Sequence, residues 1–308
     1  MQRFLALDLG GTKTTAAVVE LQGRDARVLH SASQPTPARE GANSVLVASL
    51  ALTRRTLTEW GGDADTVAGV GIASAGVIDP QRGLVTHATD ALPGWPGTEL
   101  AAAFAGEFSL PARALNDVHA HGLGEALYGA GNGHSSMLMV AVGTGIGGAI
   151  VIDGQPFTGF SHAAGHVGHI AVPEAEGVLC SCGRTGHLEG LASGPGIHAL
   201  YTRRGGQAVD TKEVAARARD GERLAAEVLR LAGFATGRVI GGLLNVIDPA
   251  VVTLTGGVAQ IGNLWRTAVL DGIEYDAMDV VMNTPVLDAT AGVEAALLGA
   301  AAWAGKDI

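Results

Sequence analysis

The chain has 308 residues, 47% of them hydrophobic and 16% charged, enough apolar material for two cores, and this composition excludes intrinsic disorder. A formal net charge of −10 disfavours a phosphate backbone or an anionic membrane as partner, so nucleic acid and membrane binding are not expected. The two cysteines, Cys180 and Cys182, stand one residue apart and cannot build a disulfide framework, which suits a reducing cytoplasm. The apolar start MQRFLALDLGG is broken by Asp8 and reads as neither signal peptide nor membrane span, and a cytoplasmic protein is expected.

In chain order, the apolar run 3–9, the polar turn Gly10-Gly11-Thr12-Lys13 and the Ala/Val-rich run 14–21 read as strand, tight turn, strand. A helix is expected at 44–60, a strand at 66–72, a proline-broken loop near 92–97, and a strand at 112–115 leading into a helix over 117–128. The strand–turn–strand pattern returns at 137–142, Gly143 to Gly148, and 149–152. An irregular stretch over 154–186 follows, then helices near 195–204, 214–219 and 222–247. A strand at 251–254 runs into Gly256-Gly257 and another helix, and an alanine-rich helix covers 293–304. Alternating strands and helices point to mixed α/β lobes.

Gly143, Gly145 and Gly148 match GxGxxG, but the dinucleotide reading needs a helix directly afterwards, and a strand, AIVID, follows instead. The spacing before Lys13 also departs from the Walker pattern. Two glycine-rich turns, each with a threonine (Thr12 and Thr144), present backbone N–H groups and hydroxyls that suit phosphate from two sides, where a single such turn would read as an ordinary hairpin. Asn116-Asp117 stands at a strand-to-helix junction. An N-cap pair and a general base with its orienting amide are both compatible with it. Residues 165–190 gather His166, His169, Cys180, Cys182, His187 and Glu189 in a segment with little regular structure, and two imidazoles with two thiolates, His169, Cys180, Cys182 and His187, form a tetrahedral zinc set; free thiols and solvated histidines are the bland alternative.

The ordered segments DLGGTK, LNDVHAHGLGE, VGTGIGGAIVIDG, GHVGH, CSCGRTGHLE and ASGPGI resemble the ROK family of sugar kinases and repressors, within the actin-like ATPase superfamily, over essentially the whole chain. The resemblance implies an α/β, two-lobed actin-like ATPase (ribonuclease H-like) fold with an interlobe cleft. One lobe would comprise 1–116 plus about 293–308, the other 117–292 with its zinc-binding loop at 165–190. ATP, Mg²⁺ and structural Zn²⁺ are the implied cofactors, and a hexose or N-acetylhexosamine the implied small-molecule partner. Asp8, Gly10, Gly11, Thr12 and Lys13 match the first phosphate loop, Thr144 and Gly145 the second, and Gly256 and Gly257 the segment near adenosine. Asp117 matches the catalytic base, and Asn116, His169 and Glu189 match sugar contacts, so that His169 would serve both metal and sugar. A homodimer is common in the family and is implied here.

Two positions depart from the family pattern. His187 replaces a usual third cysteine, and imidazole still suits zinc. His166 replaces the usual sugar-loop glutamate, giving an HxGH form that resembles bacterial N-acetylmannosamine kinases. The expected activity is phosphorylation of the sugar 6-hydroxyl, with N-acetylmannosamine the favoured substrate and glucose the alternative. A sugar-responsive ROK regulator is a remote alternative, because the first phosphate loop begins at Asp8 with no DNA-binding extension before it. A degenerate sugar-binding protein would be expected to lack Asp117 or the glycine turns, and both are present.

Overall fold

The computed structural model describes residues 1–89 and 92–306. The expected first hairpin forms as β1 (Gln2–Leu9) and β2 (Lys13–Gln22), antiparallel with Asp8 opposite Thr15 and Leu9 opposite Thr14. β3 (Asp25–Pro35) adds to the outer side of β2. β3 alternates exposed and half-buried positions, but its half-buried side chains include His30 and Gln34 and its register shifts opposite Val18 and Val19, so its apolar residues make no clean alternating run and the sequence alone predicts no strand there. After α1 (Ala42–Trp60) come β4 (Val67–Ser74), the short hairpin β5 (Val77–Asp79) and β6 (Leu84–His87), α2 (Leu100–Phe108), β7 (Ala112–Asn116) and α3 (Asp117–Tyr128). The first sheet has the order β3-β2-β1-β4-β7, with β4 parallel to both β1 and β7. Its central strands are almost continuously buried, and Leu5, Leu7, Leu9, Ile72 and Ala114 pack with Leu52 of α1, Phe104 of α2 and the fully enclosed Trp95. Trp95 keeps its indole N–H satisfied by donating to Ser74 Oγ at 3.2 Å.

The second hairpin comprises β8 (Ser136–Val142) and β9 (Ile146–Ile152); β9 starts three residues earlier than expected, so the turn is only Gly143-Thr144-Gly145. β10 (Gln155–Pro156), α4 (Leu188–Ala192), α5 (Gly194–Arg203), α6 (Thr211–Arg219), α7 (Arg223–Ile247), β11 (Val251–Thr255), α8 (Asn263–Asp276), β12 (Val286–Asp288) and α9 (Ala295–Ala304) complete the chain. The second sheet has the order β10-β9-β8-β11-β12, with β11 parallel to β8 and β12. Among the described residues no helix is long and apolar enough to cross a membrane.

Contacts divide the chain into two units: Met1–Ser136 with Ala149–Ala164 and Ala289–Ile308, and Met137–Gly148 with Gly165–Asp288. The expected lobe boundaries lie at 116/117 and about 292/293. The contact grouping keeps α3 with the first unit, because α3 packs along α9 and touches β4 and β7. Residues 307 and 308 of the expected C-terminal return lie outside the described residues.

Candidate active site

In the first unit the parallel strands β1, β4 and β7 finish together, with Leu9, Ser74 and Asn116 on one rung. Crevices beyond the carboxyl ends of such strands are where α/β sheets bind ligands. The Gly10–Lys13 turn lies at this end, closed by Gly10 N–H donating to Lys13 O at 3.0 Å and braced by Thr36, whose hydroxyl donates to Gly10 O at 2.7 Å and whose N–H donates to Thr12 O at 3.0 Å. Thr12 and Lys13 are exposed. Asp8, on the last full turn of the β1 pleat, has its carboxyl pushed up to about 6, first by burial and then by the charge of Asp117, with Lys13 opposing. The structure therefore gathers Asp8, Lys13 and Asp117 into one electrostatic cluster.

Asn116 is the N-cap of α3. Its Oδ1 accepts from Val118 N–H (3.0 Å) and His119 N–H (3.1 Å), while its Nδ2 donates to Gly76 O (2.8 Å) and to Asp117 Oδ1 (2.8 Å). The capping alternative is therefore present, and the same side chain also donates a hydrogen bond to the Asp117 carboxylate. Asp117 sits at the first helical position, and its Oδ1 also accepts from Val118 N–H at 2.9 Å. The helix N-terminus stabilises the anionic carboxylate there.

In the second unit the Gly143–Gly145 turn is held by Gly143 N–H donating to Gly145 O (2.9 Å) and by Gly194 N–H donating to Gly143 O (2.8 Å). Ile146 N–H, directly after the turn, donates to Glu189 Oε2 at 2.8 Å. A Cβ on Gly145 would stand 2.9 Å from that oxygen, so any side chain here would displace the carboxylate. Gly256 has φ +93°, and a Cβ would come within 2.4 Å of Val142 O, which fixes glycine where β11 turns away. Thr144, Gly257, Pro195, His198, Asp210 and Lys212 contribute to a pocket of about 480 Å³ beside this turn. Asp210 caps α6 by accepting from Glu213 N–H (2.9 Å), and Glu213 returns by accepting from Val209 N–H (2.7 Å), which fixes the pocket wall.

The 165–190 segment brings His169, Cys180, Cys182 and His187 together, with one donor atom of each within 4.8 Å of the others. Cys180 Sγ lies 3.5 Å from His169 Nδ1 and Cys182 Sγ 3.2 Å from His187 Nδ1. Zinc bonds of about 2.0–2.3 Å at tetrahedral angles place donors about 3.3–3.8 Å apart. The His169–Cys180 pair falls in that range, the Cys182–His187 pair is slightly tighter, and the widest-spaced donors, within 4.8 Å, would draw in around a four-coordinate zinc. Burial pushes the His169 imidazolium pKa down, favouring the neutral, ligating ring. The four would hold the metal and would cross-link a loop otherwise tied by the Ala171–His187 and Leu179–Thr185 bridges. His166 is exposed and outside this group, its ring stacked on His169 at 6.0 Å between centroids.

The ROK family model matches residues 4–307. The chain belongs to the ROK family. It is 31% identical over 305 residues to the N-acetylmannosamine kinase of Yersinia pseudotuberculosis, covering 99% of each chain. Among solved structures it is similar to a ROK hexokinase from Thermus thermophilus (TM-score 0.85, 31% identity, 99% of this chain and 98% of that one). It is also similar to a ROK family glucokinase from Streptomyces griseus in complex with glucose and AMPPNP (TM-score 0.78, 29% identity, 99% of each chain). The fold is accordingly the α/β, actin-like ATPase type of the ROK kinases.

For this ROK chain the motif reading missed three things. Asp210 and Lys212 wall the pocket beside the second turn, and the Asp210–Glu213 spacing was a legible capping box. The Ile146 link to Glu189 and the hydroxyl of Ser181, which donates to Glu189 Oε1, left no trace in local sequence.

Proposed function

We propose that this ROK sugar kinase, a phosphotransferase with an alcohol group as acceptor, transfers the γ-phosphoryl group of ATP to the 6-hydroxyl of N-acetylmannosamine. Asp117 accepts the hydroxyl proton as the new O6–P bond forms and the bond from γ-phosphorus to the β,γ-bridging oxygen breaks. Asn116 keeps Asp117 turned for that role through its 2.8 Å bond to Oδ1. Asp8, Gly10, Gly11, Thr12 and Lys13 hold the phosphates in the first unit and Thr144 and Gly145 in the second, and Gly256 and Gly257 flank the adenosine. When bound, Mg²⁺ neutralises phosphate charge as the bond breaks. His166, His169 and Glu189 contact the sugar. With His169 Nδ1 facing Cys180, its Nε2 is the ring nitrogen left for a hydroxyl.

The observation that carries the choice of sugar is His166, an exposed imidazole stacked on His169 at the position where the family usually has a glutamate. A carboxylate accepts only and suits two vicinal hydroxyls, whereas imidazole both donates and accepts and does not repel an acetamido carbonyl. The likeness to the Yersinia N-acetylmannosamine kinase supports the same choice. Glucose is the second reading, supported by the likeness to the Streptomyces glucokinase. A coupled ADP-release assay across glucose, mannose, N-acetylglucosamine, N-acetylmannosamine, fructose and allose decides between them. N-Acetylmannosamine is expected to give the highest kcat/KM, and His166→Glu to shift its ratio to glucose by about 1–3 kcal/mol toward glucose. A wild-type preference for glucose that ignores this substitution makes the protein a glucokinase.

A further inference from the structure

Glu189 is held at both carboxylate oxygens by groups from different parts of the second unit. Oε2 accepts from the Ile146 N–H at 2.8 Å, directly after the Gly143–Gly145 turn, and Oε1 accepts from the Ser181 hydroxyl. Ser181 lies between Cys180 and Cys182, in a tight turn closed by Gly183 N–H donating to Cys180 O (3.0 Å) and Cys180 N–H donating to Arg184 O (2.7 Å). Its backbone is therefore fixed by the same loop that presents the two thiolates. Glu189 stands on the first turn of α4, two residues after His187.

A carboxylate held at one oxygen still swings about its terminal torsion, which is broad and roughly two-fold. Held at both, it has a single plane, and its remaining lone pairs point in fixed directions. The hydrogen bond from Ser181 is charge-assisted, the stronger class of such bonds.

We propose that Ser181 is a positioning residue for sugar recognition: its hydroxyl fixes the plane of the Glu189 carboxylate, so that the cysteine loop sets the direction in which Glu189 accepts from the sugar. This rests on the reading of Glu189 as a sugar contact. The role belongs to the hydroxyl, and the backbone turn that carries it does not depend on the side chain. A threonine at 181 keeps the donor, and an alanine removes it without adding bulk.

The test is equilibrium sugar binding by calorimetry, with steady-state kinetics, on wild type, Ser181→Ala and Ser181→Thr, using the sugar that the wild type phosphorylates best. Ser181→Ala is expected to raise the sugar Kd and KM about tenfold, the scale of one hydrogen bond to a charged group, with kcat and the KM for ATP changed less than about threefold. Ser181→Thr is expected to restore binding to within about threefold of wild type. Metal content and thermal midpoint should be the same in all three. Unchanged sugar affinity in Ser181→Ala, failure of Ser181→Thr to restore it, or a loss of metal or thermal stability that accounts for the defect overturns the positioning role. A wild type that phosphorylates none of the hexoses overturns the kinase reading and this proposal with it, whereas an active wild type with an indifferent Ser181→Ala overturns only the latter.

Discussion

Asp8 makes the first unit pay a pH-dependent penalty whose size follows from its surroundings. Its carboxyl is raised from an ordinary 3.8 to about 6 by burial and by Asp117, with Lys13 only partly compensating. Because the folded state holds this proton more tightly than the unfolded chain does, the stability Asp8 contributes is fully present below pH 3.8 and is lost as pH rises through 6. Across that window the loss approaches about 3 kcal/mol, and between pH 4.5 and 7.5 it is about 2 kcal/mol, since part of the change lies below the accessible range. Asp8→Asn has no proton to lose. The difference in unfolding free energy between wild type and Asp8→Asn, measured by urea unfolding in magnesium-free and nucleotide-free buffer at a series of pH values, should therefore move by about 2 kcal/mol in favour of the variant from pH 4.5 to 7.5. Taking the difference cancels the titration of groups that do not interact with Asp8 and leaves its own titration together with its coupling to Asp117 and Lys13. In an Asp117→Asn background the midpoint of the effect should fall, because the second cause of the shift is gone. Parallel pH profiles for wild type and Asp8→Asn would refute the raised Asp8 pKa, and with it the burial and the Asp117 charge as its causes.

Asp117→Asn should lower kcat by about 10²–10⁴-fold in a coupled ADP-release assay while circular dichroism stays unchanged, since the amide keeps a hydrogen-bonding acceptor for Val118 N–H but takes no proton. More than a tenth of wild-type turnover in that variant would leave Asp117 as part of a helix cap. Protein prepared without chelators should contain one zinc per chain by metal analysis, and Cys182→Ser should release it and raise the KM for sugar more than that for ATP, because His169 and Glu189 flank the cysteines. Glu125, fully buried, accepts from Ala130 N–H (3.1 Å), Thr290 N–H (3.1 Å) and Ala291 N–H (2.8 Å), so Glu125→Ala should destabilise the protein by about 4 kcal/mol in urea unfolding, the cost of leaving buried amides unmatched.

Chemistry carried by neighbouring residues was legible in the sequence. The two glycine turns, the Asn116-Asp117 junction and the His and Cys residues of 165–190 announce themselves because hairpins, caps and metal loops are built from residues a few positions apart. The long α7 and the buried strands β1, β4, β8 and β11 were equally readable, since a 25-residue amphipathic run and compact apolar runs each fit one periodicity. Tertiary structure decided what depends on pairs distant along the chain. β3 exists because β2 offers it an edge, and β12, three residues long, because β11 does. α3 groups with the first unit because α9 returns to pack on it, a contact that no local pattern encodes. Asp8 acquires its raised pKa only when folding buries it and brings the charge of Asp117 near, and Glu189 acquires its fixed carboxylate only when the 181 turn and the start of β9 reach it from two sides. Electrostatic shifts and paired hydrogen bonds depend on distance in space, and a single sequence reports distance only along the chain.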